Sequence, residues 1–427
     1  MADTAARRLK NIVGGSAGNL VEWFDWYVYA AFAIYFAKSF FPAEDQTAEL
    51  LQAAAVFAVG FVMRPIGAWL MGIYADHRGR KAGLTLSVTL MCAGSLLIAV
   101  APTHAQAGVL SPAILLIARM IQGLSLGGEY GSSATYLSEM AGRERRGLWS
   151  SFQYVTIIGG QLTALAFLVF LQSILTEAQL DAWGWRIAFA MGGVLAIVAF
   201  IIRRRLDETL SYEIVAAKAD RPKSTTRNLF GEHPREALLV MALTAGGTAA
   251  FYAYTIYLQK FLVNTSGFDR QTASRIMTVA LALMMLLQPL AGAISDRIGR
   301  KPMMIFFGAT ATVFTYPLFT TLETVKSVPA AFALVMASLV MVTGYTSINA
   351  VIKAELFPAH IRALGVALPF ALANTIFGGT AEYVALWLKS IGHERWFYLY
   401  ISALAACSLV AYVSMRETKT NSRILED

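Results

Sequence analysis

Gly72-Ile-Tyr-Ala-Asp76-His-Arg-Gly79-Arg80-Lys81 returns 220 positions later as Gly292-Ala-Ile-Ser-Asp296-Arg-Ile-Gly299-Arg300-Lys301, each time between hydrophobic runs. Both copies end an apolar segment on an acid, turn at a glycine and continue with paired bases. A repeat of several hundred residues is too long for a solenoid, so the chain reads as two similar bundles fused head to tail.

The composition says what kind of bundle. Of 427 residues 57% are hydrophobic and 15% charged, and the mean hydropathy is +0.55, which points to a polytopic membrane protein rather than two or three soluble domains. Apolar stretches of about 20 residues give about twelve spans, six on each side of a polar centre. The expected fold is therefore all-α: an N-terminal six-helix bundle over 1–205, a cytoplasmic central loop over 206–235, and a C-terminal bundle with a short tail over 236–427. Starting with Arg7, Arg8 and Lys10 inside, alternate loops hold about 25 of the basic residues and the opposite set about seven, which places both termini in the cytoplasm. That asymmetry accounts for the net charge of +8 without nucleic acid.

Several functions fall away. Cys92 and Cys407 each sit in an apolar run, so neither a disulfide framework nor a thiolate metal site is expected. The five histidines lie in or near loops, which makes metal binding improbable. The first apolar stretch carries acids and lacks a small-residue cleavage site, so it is not a removable signal peptide. No Gly-x-x-x-x-Gly-Lys-Ser/Thr loop occurs, which disfavours nucleotide-driven pumping and any enzymatic role of that kind.

Charges at mid-depth are the functional signal, because each costs at least about 2.5–3.5 kcal/mol to insert. At 1.5 Å per residue, Glu22 and Asp25 lie roughly 15–20 Å into the first span, Arg64 about 21 Å into the second and Arg119 about 14 Å into the fourth. Helical spacing adds polar stripes: Asn19, Glu22, Trp26 and Tyr29 with Asp25 on the shoulder; Arg119, Gln122 and Glu129; Gln153, Thr156 and Gly160; Thr248, Tyr252, Thr255 and Gln259; Thr346, Asn349 and Lys353. The second half contributes hydroxyls, amides and aromatics, with Lys353 and Glu382 as its charged exceptions. A mid-depth arginine keeps its proton and needs an anion, so Arg64 and Arg119 suit a substrate carboxylate through forked hydrogen bonds. Gln122, Gln153, Tyr154, Tyr252, Asn349 and Lys353 complete the expected substrate wall. A buried carboxylate can instead alternate between charged and neutral, which makes Glu22, Asp25 and Glu129 proton-carrier candidates. Other readings stay open: Glu22 or Asp25 as a static partner of an arginine, Glu129 as partner of a loop base, Lys353 as a snorkelling interfacial lysine.

The loop charges obey a different logic. Asp76 with Arg80 and Asp296 with Arg300 close their helices at the cytoplasmic surface, where an acid pairs with a neighbouring base or caps a helix N-terminus. Glu139 with Arg146 and Glu355 with Arg362, each seven apart after the fourth and tenth spans, repeat the pattern. These eight residues read as a cytoplasmic gate.

Six plus six helices, a long middle loop and Gly-x-x-x-Asp-x-x-Gly-Arg-Lys after the second and eighth spans resemble the major facilitator superfamily. Gly18-Asn-Leu-Val-Glu22-Trp-Phe-Asp25, Met63-Arg64-Pro-Ile-Gly67, Gln122-Gly-Leu-Ser-Leu-Gly-Gly-Glu129-Tyr130 and Trp183-Gly-Trp-Arg186 are similar to its metabolite:proton symporter family, whose members carry anionic metabolites or compatible solutes. Gly131-Ser-Ser-Ala-Thr-Tyr-Leu-Ser-Glu139, Lys353-Ala-Glu-Leu-Phe-Pro358 and Ile376-Phe-Gly-Gly-Thr-Ala-Glu-Tyr-Val-Ala-Leu386 narrow the resemblance to carriers of 2-oxoglutarate. Trp26 departs from the pattern, where phenylalanine is expected. The resemblance implies transport roles for Arg64, Asp76 and His77, and Arg119 argues against the family's zwitterion carriers.

The expected function is proton-coupled import of 2-oxoglutarate by alternating access across a bacterial inner membrane. Alternatives are symport of citrate, a dicarboxylate or shikimate, a compatible-solute carrier, and a non-transporting sensor on the same scaffold. The expected partners are a small organic anion, protons and membrane lipids, with no cofactor, no metal, no nucleic acid and one chain working as a monomer.

Overall fold

The computed structural model describes residues 2–78, 80–127, 129–204 and 225–424. Among the described residues nine helices are long and apolar enough to cross a membrane, and the first helix with two shorter apolar ones, Leu86–Val100 and Leu110–Leu126, makes twelve. The first half holds α1 (Ala2–Phe40), α2 (Gln46–Arg78), α3 (Arg80–Val100), α4 in two pieces (Leu110–Leu126 and Glu129–Met140), α5 (Arg146–Ile174) and α6 (Trp185–Arg204). The second holds α7 (Pro234–Asn264), α8 (Arg270–Ile298), α9 (Arg300–Thr324), α10 in two pieces (Val328–Thr346 and Asn349–Leu356), α11 (Arg362–Ser390) and α12 (Glu394–Ser414). Of the expected central loop, 206–224 lies outside the described residues. A short helix, Thr226–Glu232, leads from there into α7, its N-terminus capped by the Thr225 hydroxyl accepting from Asn228 N at 3.2 Å.

The halves meet where α5 runs along α8, α2 along α11, and the second piece of α4 against α10 and α11. At the α5–α8 seam a Cβ built on Gly292 would fall 2.5 Å from Gly147 O and 3.0 Å from Ser151 Cβ. The second motif copy therefore opens on glycine because two backbones touch there. Its later glycine, Gly299, turns from α8 into α9 at φ +103°, a conformation other residues adopt only at a cost. The N–H groups left without a helical partner at the start of α9 are met by Glu417, whose carboxylate accepts from Arg300 N and Lys301 N, both at 2.9 Å.

Three helices depart from the regular spacing that the sequence stripes assume. A π-turn at Ala253–Tyr257 in α7 and another at Asn374–Gly378 in α11 rotate the residues beyond them. Thr248, before the turn in α7, bonds Asn374, while Gln259, beyond it, reaches Ala31 O through Nε2 at 3.4 Å, so the α7 residues do not form one stripe. In α10 a break at Ser347 and Ile348 sends the Thr346 hydroxyl to Gln288 Oε1 at 2.9 Å, away from Asn349 and Lys353.

Candidate functional site

Trp26 is fully buried and carries two guanidinium groups on its indole. Arg64 Cζ lies 4.1 Å and Arg119 Cζ 4.0 Å from that ring, so the two charges are at most 8.1 Å apart. Phe61, at 4.1 Å, and Trp23 complete the box around Arg64, and Tyr29, at 4.4 Å, and Phe57 the box around Arg119. Stacking of a desolvated cation on a ring contributes about 2 kcal/mol and uses none of the N–H donors. Arg119 Nη1 donates to Gln122 Oε1 at 2.7 Å, and Tyr252 lies within hydrogen-bond reach of Arg64. The Nε and Nη2 atoms of both arginines find no acceptor among the described residues.

Asp25 is not a direct partner of either arginine. One carboxylate oxygen accepts from the Ser95 hydroxyl and the other from Gln122 Nε2 at 2.8 Å, so Gln122 relays between Asp25 and Arg119. All its partners belong to the first half, and Gly192 of α6 lets it sit there: a Cβ at that position would strike it. The sequence stripe put Asp25 on a cavity-facing shoulder, whereas the twist of α1 turns it into the first half's interior. Glu22 is buried one turn earlier. The side chains of Asp76, His77, Arg80 and Glu129 lie outside the described residues.

A third cation stands nearer the end that carries the duplicated motifs. Lys353 is 1% exposed, its Nζ 3.8 Å from the Phe370 ring and 5.5 Å from Tyr130, with no hydrogen-bond partner among the described residues. The snorkelling alternative is thereby overturned: the ammonium points into protein rather than to an interface. Beside it Asn349 Nδ2 donates across the halves to Tyr130 OH at 3.1 Å and Tyr154 OH at 3.0 Å, and Gln153 is buried next to Tyr154. Tyr252 lies within electrostatic reach of Arg64, Tyr130 and Tyr154, between the two clusters.

At the motif end the repeated charges exchange partners between halves. Arg362 pairs with Glu139, and Arg146 with Glu355 at 3.7 Å, so the residues seven apart in sequence meet their counterparts rather than each other. Arg300 bonds Asp296 at 2.7 Å and approaches Glu355 at 3.8 Å. Asp296 accepts from Gly147 N at 2.8 Å and Leu148 N at 2.9 Å, an acid on the positive N-terminus of α5. The C-terminal tail laces over these groups: the Thr418 hydroxyl donates to Glu355 Oε2 at 2.6 Å, Arg423 N to Glu355 O at 2.9 Å, and Arg362 Nη2 to Arg423 O at 3.0 Å. At the opposite end Arg270 bonds Asp181 at 2.7 Å and Asn264 bonds Thr47 at 3.1 Å across the halves. Between the two closures, beside Tyr27, Gln161, Thr255 and Gln259, a void of about 10 Å³ remains, room for a water and not for an organic acid.

Sequence reasoning missed the tail, Tyr130 and Lys260. Lys260 stands four residues from the end of α7, where a lysine ordinarily snorkels, yet it is 1% exposed and ion-paired with Glu382 at 2.6 Å. No spacing rule would have found that pair. Glu232, His233 and His360 bring ligand atoms within 4.8 Å of one another, although two of the three are exposed, and loop placement had not foreseen their meeting.

The sequence profile of the family described as "Major Facilitator Superfamily" matches residues 16–381. The alpha-ketoglutarate permease of Escherichia coli (strain K12) is 52% identical over 419 residues, covering 98% of this chain and 96% of that protein. The citrate-proton symporter of Klebsiella pneumoniae is 32% identical, covering 96% and 92%. Among solved structures, the xylose transporter XylE from E. coli in a partially occluded inward open conformation superposes with a TM-score of 0.73 over 95% of this chain and 97% of its own, at 19% identity, a likeness of fold alone.

Proposed function

The chain belongs to the major facilitator superfamily, and from that premise we propose that it imports 2-oxoglutarate together with protons by rocking its two halves about a central anion site. One observation carries this reading: Arg64 and Arg119 stack on one indole at most 8.1 Å apart, with N–H donors that nothing among the described residues accepts. Two permanent cations with free donors call for a dianion, and their spacing lets the carboxylates of a short diacid engage both through forked hydrogen bonds. The 52% identity to a protein named alpha-ketoglutarate permease supports the choice of diacid.

On this reading Tyr252 and Gln122 position the ligand, and Asn349, Tyr154, Gln153 and Lys353 receive it toward the motif end, which faces the cytoplasm of the inner membrane. The crosswise pairs, with Asp76 and Arg80, open that end in the other half of the cycle. Glu22, Asp25 and Glu129 are the acids through which protons would pass. Carrying a dianion into an inside-negative cell costs about 4.6 kcal/mol per 100 mV, so at least two protons must accompany it to cancel the charge. One chain in lipid suffices, driven by the proton gradient without a cofactor.

The test is uptake of labelled 2-oxoglutarate by proteoliposomes under an acid-outside gradient, with unlabelled four-, five- and six-carbon acids as competitors. Accumulation that a protonophore abolishes, with the five-carbon 2-oxo acid competing best, is expected. No uptake, or uptake indifferent to the protonophore, overturns the reading; citrate as best competitor transfers it to the tricarboxylate carriers.

A further inference from the structure

The Lys260–Glu382 pair is not part of the arginine site, yet it lies on the way to it. Glu382 is eight residues before the end of α11 and Lys260 four before the end of α7, roughly 12 Å and 6 Å from those ends at 1.5 Å per residue. That places the pair between the closure at Asp181–Arg270 and Thr47–Asn264 and the deeper shelf of Arg119. Glu382 is close enough to Tyr29 for its charge to act on that phenol, and Tyr29 is itself stacked on Arg119 at 4.4 Å. One wall of the pair's surroundings is thus supplied by the first half, and parting the halves at this end brings water to it.

Two charges at 1% and 5% exposure are costly to keep, several kcal/mol for each ion, and an apolar pair of similar volume would hold α7 against α11 as well. What an ion pair adds is a response to a proton. Both helices carry a π-turn just before the pair, Ala253–Tyr257 three residues ahead of Lys260 and Asn374–Gly378 four ahead of Glu382, a local irregularity frequent at functional sites. The first half grips both turns: Gln161 Nε2 donates to Thr255 O at 2.7 Å, and the Thr375 hydroxyl donates to Phe61 O at 2.9 Å. Phe61 is also a ring on which Arg64 stacks. The pair and the anion site are therefore joined through the same contacts between halves.

We propose that Glu382 is a proton-loading site on the outer path, and that its protonation releases Lys260 to draw a substrate carboxylate toward Arg119. The charge balances: the proton joins the Glu382 carboxylate, the Lys260 ammonium is left uncompensated, and one carboxylate of the incoming anion takes the place Glu382 gave up. Other ionisable groups on the elements around Glu382 are already engaged or remote. Tyr257 of α7 bonds Glu394 of α12, which Lys389 and Thr265 also hold; Arg64 of α2 is boxed by rings; Tyr252 of α7 faces Arg64; Glu49 of α2 lies at the helix start. This role for Glu382 rests on the chain being a proton-coupled anion carrier.

The experiment neutralises the pair as a unit, Lys260→Met with Glu382→Gln, in proteoliposomes. Expected is exchange of labelled for unlabelled 2-oxoglutarate that still saturates but needs several-fold more substrate, because the carboxylate loses Lys260, with acid-driven accumulation at least about tenfold lower relative to saturating exchange, about 1.4 kcal/mol of lost coupling. Accumulation at the wild-type level overturns the proposal and makes the pair a structural tie. Glu382→Asp keeps both charges and covers the case of a neutral pair that does not fold: the pH profile of its uptake should shift, and an unchanged profile overturns the proposal equally. Wild-type vesicles that accumulate nothing would instead sink the transport reading itself.

Discussion

Truncating Arg119 to alanine removes a guanidinium whose Nε and Nη2 have no protein acceptor among the described residues, and whose only hydrogen bond there is to Gln122. If those donors hold a substrate carboxylate, the loss is that of one partner from a buried charge pair, about 2–5 kcal/mol, or about 30-fold to a few thousand-fold in affinity. The fold should barely respond. Stacking on Trp26, worth about 2 kcal/mol, and one hydrogen bond of about 1 kcal/mol are lost, but so is the several-kcal/mol cost of burying a cation with no direct acid partner. Calorimetric binding of 2-oxoglutarate to detergent-purified protein, beside a thermal unfolding scan, reads both quantities. Arg119→Lys should fall between, because an ammonium keeps the charge and loses the fork. An alanine variant that unfolds like the wild type and binds within about threefold of it, under about 0.7 kcal/mol, refutes the anion site.

Asp25→Asn can still accept from Gln122 through Oδ1 and reverse its bond to Ser95, its Nδ2 donating to the hydroxyl, while losing the ionisable group, so it and Glu22→Gln should sustain substrate exchange and lose uphill accumulation; normal accumulation in both removes them as proton sites. Glu355→Gln weakens an acid that approaches two arginines, and thiol labelling of Ser151→Cys, in a background with Cys92 and Cys407 replaced by serine, should rise several-fold as the motif end opens, a shift of about 1 kcal/mol. Ending the chain at Arg416 takes away the tail bonds to Glu355, Arg362 and α9, and should raise the same labelling without abolishing exchange. Gly292→Val pushes side-chain atoms against Gly147 O and should lower stability by about 1–3 kcal/mol, seen as an earlier unfolding midpoint.

The duplicated motif announced two bundles, and the depth count put Glu22, Asp25, Arg64 and Arg119 inside them, because span length and rise per residue are local properties of a helix. The glycine turn was equally legible: Gly299 adopts a positive φ at the position where the pattern asked for it. What each charge touches was not legible. Asp25 and Tyr29 are both on α1, but one bonds Ser95 of α3 and the other stacks on Arg119, a choice made by how α1 is rotated against its neighbours.

The stripes on α7 and α10 failed for a related reason. A π-turn or a one-turn break changes the rotation of everything beyond it, and neither leaves a mark in hydrophobic periodicity. The gate shows the division most plainly. Sequence alone determined that Glu139, Arg146, Glu355 and Arg362 recur as a set at one membrane face. Only the packing of one half on the other decided that Glu139 would meet Arg362 and Glu355 would meet Arg146, because an ion pair across an interface is settled by the relative placement of two rigid bundles, and no local spacing encodes that.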